Sequence, residues 1–280
     1  MGVSTSDPRG GVTGLKNVFA VGSGKGGVGK STIAASIAYG LQFRGAKVGL
    51  MDADVYGPSI PHLLGVKGRP TTFEEAGQPR IVPLEKDGIK LMSMGFLIEE
   101  GRAAIWRGPM LHGMMQQFIR NVSWGELDYL VVDLPPTTGD VPLSLSQLFP
   151  LTGAVIVCTP QDVALIDAVR AINMFRQLRV PILGLVENMS HFDCPHCNGR
   201  SEIFGHGGAH AAADREGIPF LGEVPLNLQT RINGDLGKLK DNFAADNPIR
   251  PSLLHVTDEV VKQIEQQNAS MPAMPTIKLS

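Results

Sequence analysis

Apolar runs that are continuous rather than alternating recur along the chain at Val18 to Gly22, Lys47 to Met51, Tyr129 to Asp133, Ala154 to Cys158, Ile182 to Glu187 and Phe220 to Val224. A strand that is apolar at successive positions hides both of its faces, as a parallel sheet covered by helices on both sides demands. Between these runs the period lengthens. Ile33, Ile37 and Leu41 return every fourth residue, and Leu165, Val169, Ile172 and Phe175 every third or fourth, so each set predicts a helix with one buried stripe. Met110, Met114, Met115 and Phe118 form another helical stripe, belonging either to the core or to a subunit surface. Strand and helix alternate, which predicts one doubly wound α/β domain with a mostly parallel sheet.

The rhythm breaks over 65–95, where Pro, Gly and charge accumulate, and Val82 to Met92 reads as a short hairpin turning at Lys86-Asp87-Gly88. This segment is expected as an insertion on the sheet edge. The domain is expected over 14–267, with flexible segments at 1–13, which is rich in Gly, Ser, Thr and Pro, and at 268–280, Asn-Ala-Ser-Met-Pro-Ala-Met-Pro-Thr-Ile-Lys-Leu-Ser.

Between the first apolar run and the first helical stripe lies Ser23-Gly-Lys-Gly-Gly-Val-Gly-Lys-Ser-Thr32. From Gly24 it satisfies G-x-x-x-x-G-K-[ST] in the strand-to-helix setting that makes this pattern a phosphate-binding P-loop. Gly24, Gly26, Gly27 and Gly29 let the backbone turn tightly, so that its N–H groups, including that of Val28, face phosphate oxygens with no side chain in the way. The helix that follows aims its positive end at the same anion. Lys30 reaches the β- and γ-phosphates in such a loop, Ser31 holds Mg²⁺, and Thr32 is placed to touch phosphate as well.

Lys25 is not required by the general pattern. With it the chain resembles the deviant Walker A ATPases, the group of MinD, ParA and the nitrogenase iron protein, in which the matching lysine reaches across a dimer interface to the partner's nucleotide. The resemblance implies that Lys25 supplies charge to the transferring phosphoryl group in trans. It also implies Asp54 beside the attacking water and Asp52 near Mg²⁺, both in Asp52-Ala-Asp54 at the end of the second strand. Asp133, closing Tyr129-Leu-Val-Val-Asp133, resembles the Walker B carboxylate that orients Mg²⁺, and Asp133-Leu-Pro-Pro-Thr-Thr-Gly-Asp140 resembles the switch segment. Thr137 stands where related carriers have glycine, so switch geometry is expected to differ. Glu187-Asn188-Met189 resembles the adenine-reading element, with the amide of Asn188 able to donate and accept, and Pro225 is expected to wall the base.

Composition narrows the function classes. With 25 basic and 27 acidic residues and a net charge of −2, nothing draws the chain to nucleic acid. No run approaches the roughly 18 apolar residues of a membrane span, so a cytoplasmic protein is expected. The only cysteines are Cys158, Cys194 and Cys197, which offer no disulfide framework and suit a reducing compartment. Cys158 lies inside an apolar run and reads as a small buried residue.

Asp52-Ala-Asp-Val-Tyr-Gly-Pro-Ser-Ile-Pro61, Asp133-Leu-Pro-Pro136 and Glu187-Asn-Met-Ser-His-Phe-Asp-Cys-Pro-His-Cys197 together resemble the Mrp- or ApbC-type iron-sulfur cluster carriers. The resemblance runs over roughly residues 14 to 265 and implies a homodimeric ATPase that passes a cluster to apo-proteins. A [4Fe-4S] cluster takes four thiolates. Cys194 and Cys197 offer two, so a symmetric dimer would bring both pairs together on its two-fold axis. Zn²⁺ is the rival occupant, since His191, Cys194, Cys197 and His206 make a Cys₂His₂ set within one chain. A MinD- or ParA-like positioning ATPase with a structural zinc site is the alternative function. Against it, the candidate terminal helix Leu253 to Gln267 sets Asp258, Glu259 and Glu265 against a single Lys262.

Overall fold

The computed structural model describes residues 14–96, 108–136 and 139–270. Its elements in chain order are β1 (Leu15–Gly22), α1 (Lys30–Phe43), β2 (Val48–Asp52), α2 (Ile60–Leu64), β3 (Thr71–Glu75), β4 (Gln78–Val82), β5 (Leu84–Lys86) and β6 (Ile89–Ser93). There follow α3 (Gly108–Arg120), β7 (Leu127–Asp133), α4 (Asp140–Leu148), β8 (Gly153–Cys158), α5 (Asp162–Gln177), β9 (Ile182–Asn188), β10 (Phe192–Asp193) and β11 (Arg200–Ser201). The chain closes with α6 (Gly208–Glu216), β12 (Phe220–Val224), α7 (Leu228–Asp235) and α8 (Arg250–Ser270).

The main sheet has eight strands in the order β12-β9-β8-β1-β7-β2-β6-β5. Every neighbouring pair is parallel except β5 with β6. Both faces of the central strands are covered, and β2 and β8 are buried at every position. Their near-continuous apolar sequences follow directly from that double coverage. The chain order jumps at the centre, with β1 between β7 and β8, and there the carboxyl ends of the strands leave a crevice for ligand.

Three sequence expectations change. The Lys86-Asp87-Gly88 turn exists, with Asp87 at φ 53° and Gly88 at φ 84°, as a two-residue hairpin loop requires. However, β6 is no appendage: it pairs parallel with β2 along its whole length, from Val48 opposite Ile89 to Asp52 opposite Ser93. The insertion proper is the separate hairpin β3–β4, whose strands are largely exposed. Second, Val169 is only half-buried; the hidden face of α5 carries Ala164, Leu165, Ala168, Ala171, Ile172 and Phe175, because alanines let the helix lie close to the sheet. Third, α8 continues to Ser270, past the point where a loose segment was expected.

The methionine stripe divides. Met115 and Phe118 are in the core, Met114 is half-buried, and Met110 is exposed. Segments 1–13 and 271–280 and Thr137 lie outside the described residues.

Helix α1 is the central packing element, buried nearly all round. Gly40 permits this on its outer side, where a Cβ would stand 2.2 Å from Thr257 Oγ1 of α8. The loop that delivers α1 to the crevice is thereby held by the whole core.

Candidate functional site

The P-loop leaves β1 and reaches α1 through two residues in the left-handed region, Gly27 at φ 80° and Gly29 at φ 79°. A side chain would cost roughly 1–2 kcal/mol at each. Gly24 is needed for another reason: a Cβ there would sit 1.9 Å from the backbone oxygen of Asp167, so the loop lies directly on α5. Val28 is buried beneath the loop. The first turn of α1 carries no acidic residue, so its N-terminal field is left to an anion.

Lys30 is buried at this point between two carboxylates, those of Asp133 and Asp54. Its Nζ donates to Asp133 Oδ1 at 2.7 Å and to Ser31 Oγ at 3.2 Å, and lies 3.9 Å from Asp54 Oδ2. Asp133 and Asp52 end adjacent strands in register, which brings their carboxyls together at the carboxyl edge of the sheet. Asp52 accepts from Ser93 Oγ at 2.9 Å, Asp54 N at 3.1 Å and Ile60 N at 3.2 Å. Burial, reinforced by Asp133, nevertheless pushes the Asp52 carboxyl up to about 8. Burial also raises Asp133, with Lys30 opposing. Breaking a buried pair such as Lys30–Asp133 typically costs about 3–5 kcal/mol, because it strands a charge.

Asp54 is oriented by its own turn, its Oδ1 accepting from the N–H groups of Tyr56 and Gly57, both at 3.1 Å. That leaves Oδ2 facing Lys30. Asp133 Oδ2 is buried without a hydrogen-bond partner among the described residues. An orphaned carboxylate oxygen beside a second acidic group and the Ser31 hydroxyl is a donor set of the hard-oxygen kind that suits Mg²⁺. Lys25, by contrast, is exposed on the loop, and its carbonyl accepts from Ser23 Oγ at 3.0 Å.

Next to the loop is a cavity of about 210 Å³ lined by Gly29, Thr32, Asn188, Met189, Pro225 and Thr230 among others. Asn188 forms its inner wall and is tied to the P-loop, Nδ2 donating to the Val28 carbonyl at 2.8 Å. Sequence reading found Asn188 and Pro225 but missed α7, whose Thr230 and Arg231 close the far side. The available signal was Asn227-x-x-Thr230, a helix cap realised as Asn227 Oδ1 accepting from Thr230 N at 2.9 Å. Larger cavities, of about 600 and 500 Å³, lie at the opposite edge around Lys16–Asp128 and Lys47–Glu126. They are at the amino ends of the strands, away from where a parallel sheet presents its ligand groups.

Glu187, named in the sequence only as part of the Glu187-Asn188-Met189 element, has a structural role of its own. It is fully buried, yet its carboxylate accepts from Gly207 N at 2.9 Å and Ala209 N at 2.7 Å, capping α6. Cys158, opposite Glu187 in the sheet, is buried, and its thiol is pushed up to about 12 by burial. It is the inert core residue expected.

Cys194 and Cys197 occupy a different setting. They sit on the two-stranded hairpin β10–β11, which leaves β9 a few residues after Asn188. Its turn closes by Asn198 N to Cys194 O at 2.8 Å and Cys194 N to Gly199 O at 3.0 Å. Cys197 is exposed and Cys194 partly so. The N–H groups of His196 and Cys197, with the Cys197 thiol, lower the Cys194 thiol below the usual range and so favour the metal-binding thiolate. The Cys₂His₂ set is not assembled: His191 and His206 come together with Glu223 instead, and neither cysteine belongs to that group. His191 looks inward under the hairpin while the thiols ride on its tip, so the zinc set conceived from the sequence does not close in this chain.

Comparison with known proteins decides the family. Residues 14–261 match the family model described as ParA: NUBPL iron-transfer P-loop NTPase. The chain belongs to this family. It is 51% identical over 255 residues to the iron-sulfur cluster transfer protein NUBPL of Dictyostelium discoideum, covering 91% of this chain and 78% of that protein. Among solved structures it resembles the nucleotide-binding protein of Archaeoglobus fulgidus in complex with ADP, with Co found by PIXE, at 40% identity and a TM-score of 0.71, over 84% of this chain and 93% of that one. The cell division ATPase MinD of Pyrococcus furiosus is similar at 18% identity and a TM-score of 0.63, over 88% and 98% of the two chains, a likeness of fold alone. The P-loop NTPase reading and the doubly wound fold therefore stand, and the positioning-ATPase alternative is not favoured. Among the described residues no helix is long and apolar enough to cross a membrane.

Proposed function

We propose that the protein is an ATP-hydrolysing iron-sulfur cluster carrier that works as a homodimer in a reducing, cytoplasmic setting. It holds a [4Fe-4S] cluster between Cys194 and Cys197 of one chain and the same pair of its partner, and delivers it to apo-proteins. The N–H groups of Gly24 to Thr32 would hold the nucleotide phosphates, Lys30 would reach the β- and γ-phosphates, and the Asn188–Pro225 cavity would take the base. Ser31, Asp52 and Asp133 would hold Mg²⁺, which neutralises phosphate charge when bound. Asp54 orients the attacking water, and Lys25 reaches the partner's nucleotide. The cluster is cargo rather than a resident group, and Zn²⁺ competes for the same thiols in air.

The observation that carries this reading is the exposed thiol pair, with Cys194 biased toward thiolate, on a hairpin rooted in β9. That strand ends in Asn188, whose amide is bonded to the P-loop. Nucleotide state and thiol placement thus share one short piece of backbone, the physical requirement for coupling them. Exposed apolar side chains at Met110, Leu143, Val163 and Ile166 lie on helices that follow strands at the nucleotide end, and they supply surface for a partner chain.

Anaerobic reconstitution with iron and sulfide tests the assignment. The intact protein should take up one cluster per dimer by Mössbauer and metal analysis, and Cys194→Ala should take up none. A cluster assembled by Cys194→Ala protein overturns the ligand assignment.

A further inference from the structure

Behind the cysteine hairpin, three ligating side chains from three different elements converge. His191 lies between β9 and β10, His206 in the loop before α6, and Glu223 on β12. The ligand atoms they offer all lie within 4.8 Å of one another. His206 Nε2 is 2.7 Å from Glu223 Oε2, and the two imidazole rings stand edge to face with centroids 6.1 Å apart.

The surroundings hold this arrangement in place. His191 is buried, and its Nδ1 is engaged by Ser190 Oγ at 3.0 Å, which leaves Nε2 for the group. An engaged second ring nitrogen is the usual companion of a metal-bound histidine. Backbone bonds from Ser190 N to Val224 O at 3.2 Å and from Leu226 N to His191 O at 2.7 Å fasten this stretch to the end of β12. The His206 loop is fixed through the Glu187 carboxylate that caps α6. Further carboxylates face the rings: Asp193 Oδ2 is 3.4 Å from His191 Nε2 and Glu202 Oε1 is 3.9 Å from His206 Nδ1. Arg200 occupies Asp193 through two bonds of 2.9 and 3.2 Å, so Asp193 is an outer partner, whereas Glu223 is engaged by His206 itself, a contact that a shared ion would replace.

We propose that His191, His206 and Glu223 form a mononuclear site for a divalent transition metal, distinct from the thiol pair. Two imidazoles and one carboxylate suit Zn²⁺, Fe²⁺ or Co²⁺, leaving a coordination position open. At bonds of about 2.0–2.2 Å, ligand atoms lie roughly 3.3 Å apart, a separation comparable with the 4.8 Å within which these atoms already lie. A bound ion would clip the root of the cysteine hairpin to β12 and to the α6 loop.

The site does not depend on whether the cysteines carry a cluster, and the test removes them. Cys194→Ser/Cys197→Ser protein titrated with Co²⁺ should bind one ion per chain, giving ligand-field absorption without the thiolate-to-cobalt charge-transfer band. Adding His206→Ala should weaken binding by about tenfold or more, and Glu223→Gln, which keeps the side-chain shape, should do the same. Loss of stoichiometric Co²⁺ binding in the thiol-free protein overturns the site. So does binding indifferent to both the His206 and the Glu223 change, with the folded state verified by circular dichroism.

Discussion

The nucleotide end and the cysteine hairpin are built on opposite plans. Around Lys30 the side chains are buried, charges are paired, and each carboxylate is held by at least one backbone or hydroxyl donor or by the lysine itself. Around Cys194 the strands are two residues long and the thiols face solvent. Phosphoryl transfer gains from groups fixed in advance in a site that excludes water. A transferable cargo needs the reverse, since ligands sunk in the core could neither meet a partner's thiols nor release what they hold.

Breaking the buried side should have the largest effect. Lys30→Ala removes the cation shared by Asp133 and Asp54, and phosphate release should fall by roughly 10²–10³-fold or more. Iron uptake by chemical reconstitution should persist, and its loss together with hydrolysis would mean that the two regions are one folding unit. Cys194→Ala sharpens the contrast from the other side, changing ATP affinity less than roughly twofold because no contact is shared. Lys25→Ala should lower turnover by about tenfold or more in the dimer. In a variant held monomeric it should change nothing, and an equal loss there would argue against action in trans.

The smallest effect is protonic. With its carboxyl pushed up to about 8, Asp52 keeps its proton at neutral pH in the nucleotide-free fold. A raised acid favours the fold most at low pH, and that contribution is lost as pH climbs from the ordinary carboxylate range through about 8. Mg²⁺-nucleotide binding should therefore release about one proton at pH 7 and none well above the Asp52 transition, read by calorimetry in buffers of different ionisation enthalpy. Proton release independent of pH would remove Asp52 from the metal site.

Legibility in the sequence followed locality. The P-loop was readable because its turn, lysine and hydroxyl are contiguous, and Asp52 and Asp133 because each closes an apolar run. Val169 was misplaced because a period alone does not say whether Leu165 or Ala168 marks the centre of the buried face. Within 65–95 the hairpin at the sheet edge was legible from its turn, but the parallel pairing of β6 with β2 was not, because it depends on residues far apart in sequence, on which neither strand's pattern bears. The capping role of Glu187 was not legible, because a buried carboxylate capping a helix some twenty residues on has no local mark.

What the sequence determined by itself was the phosphate-binding chemistry, the strand ends that carry the acidic groups, and the thiol pair, because each is written in adjacent residues with one backbone meaning. Only the tertiary structure decided which groups meet. It set Asp52 against Asp133, bonded Asn188 to the P-loop, left Lys25 exposed, and gathered His191 and His206 with Glu223 rather than with the cysteines. Those outcomes rest on sheet register and on long-range packing of the helices and loops, in which each contact depends on all the others.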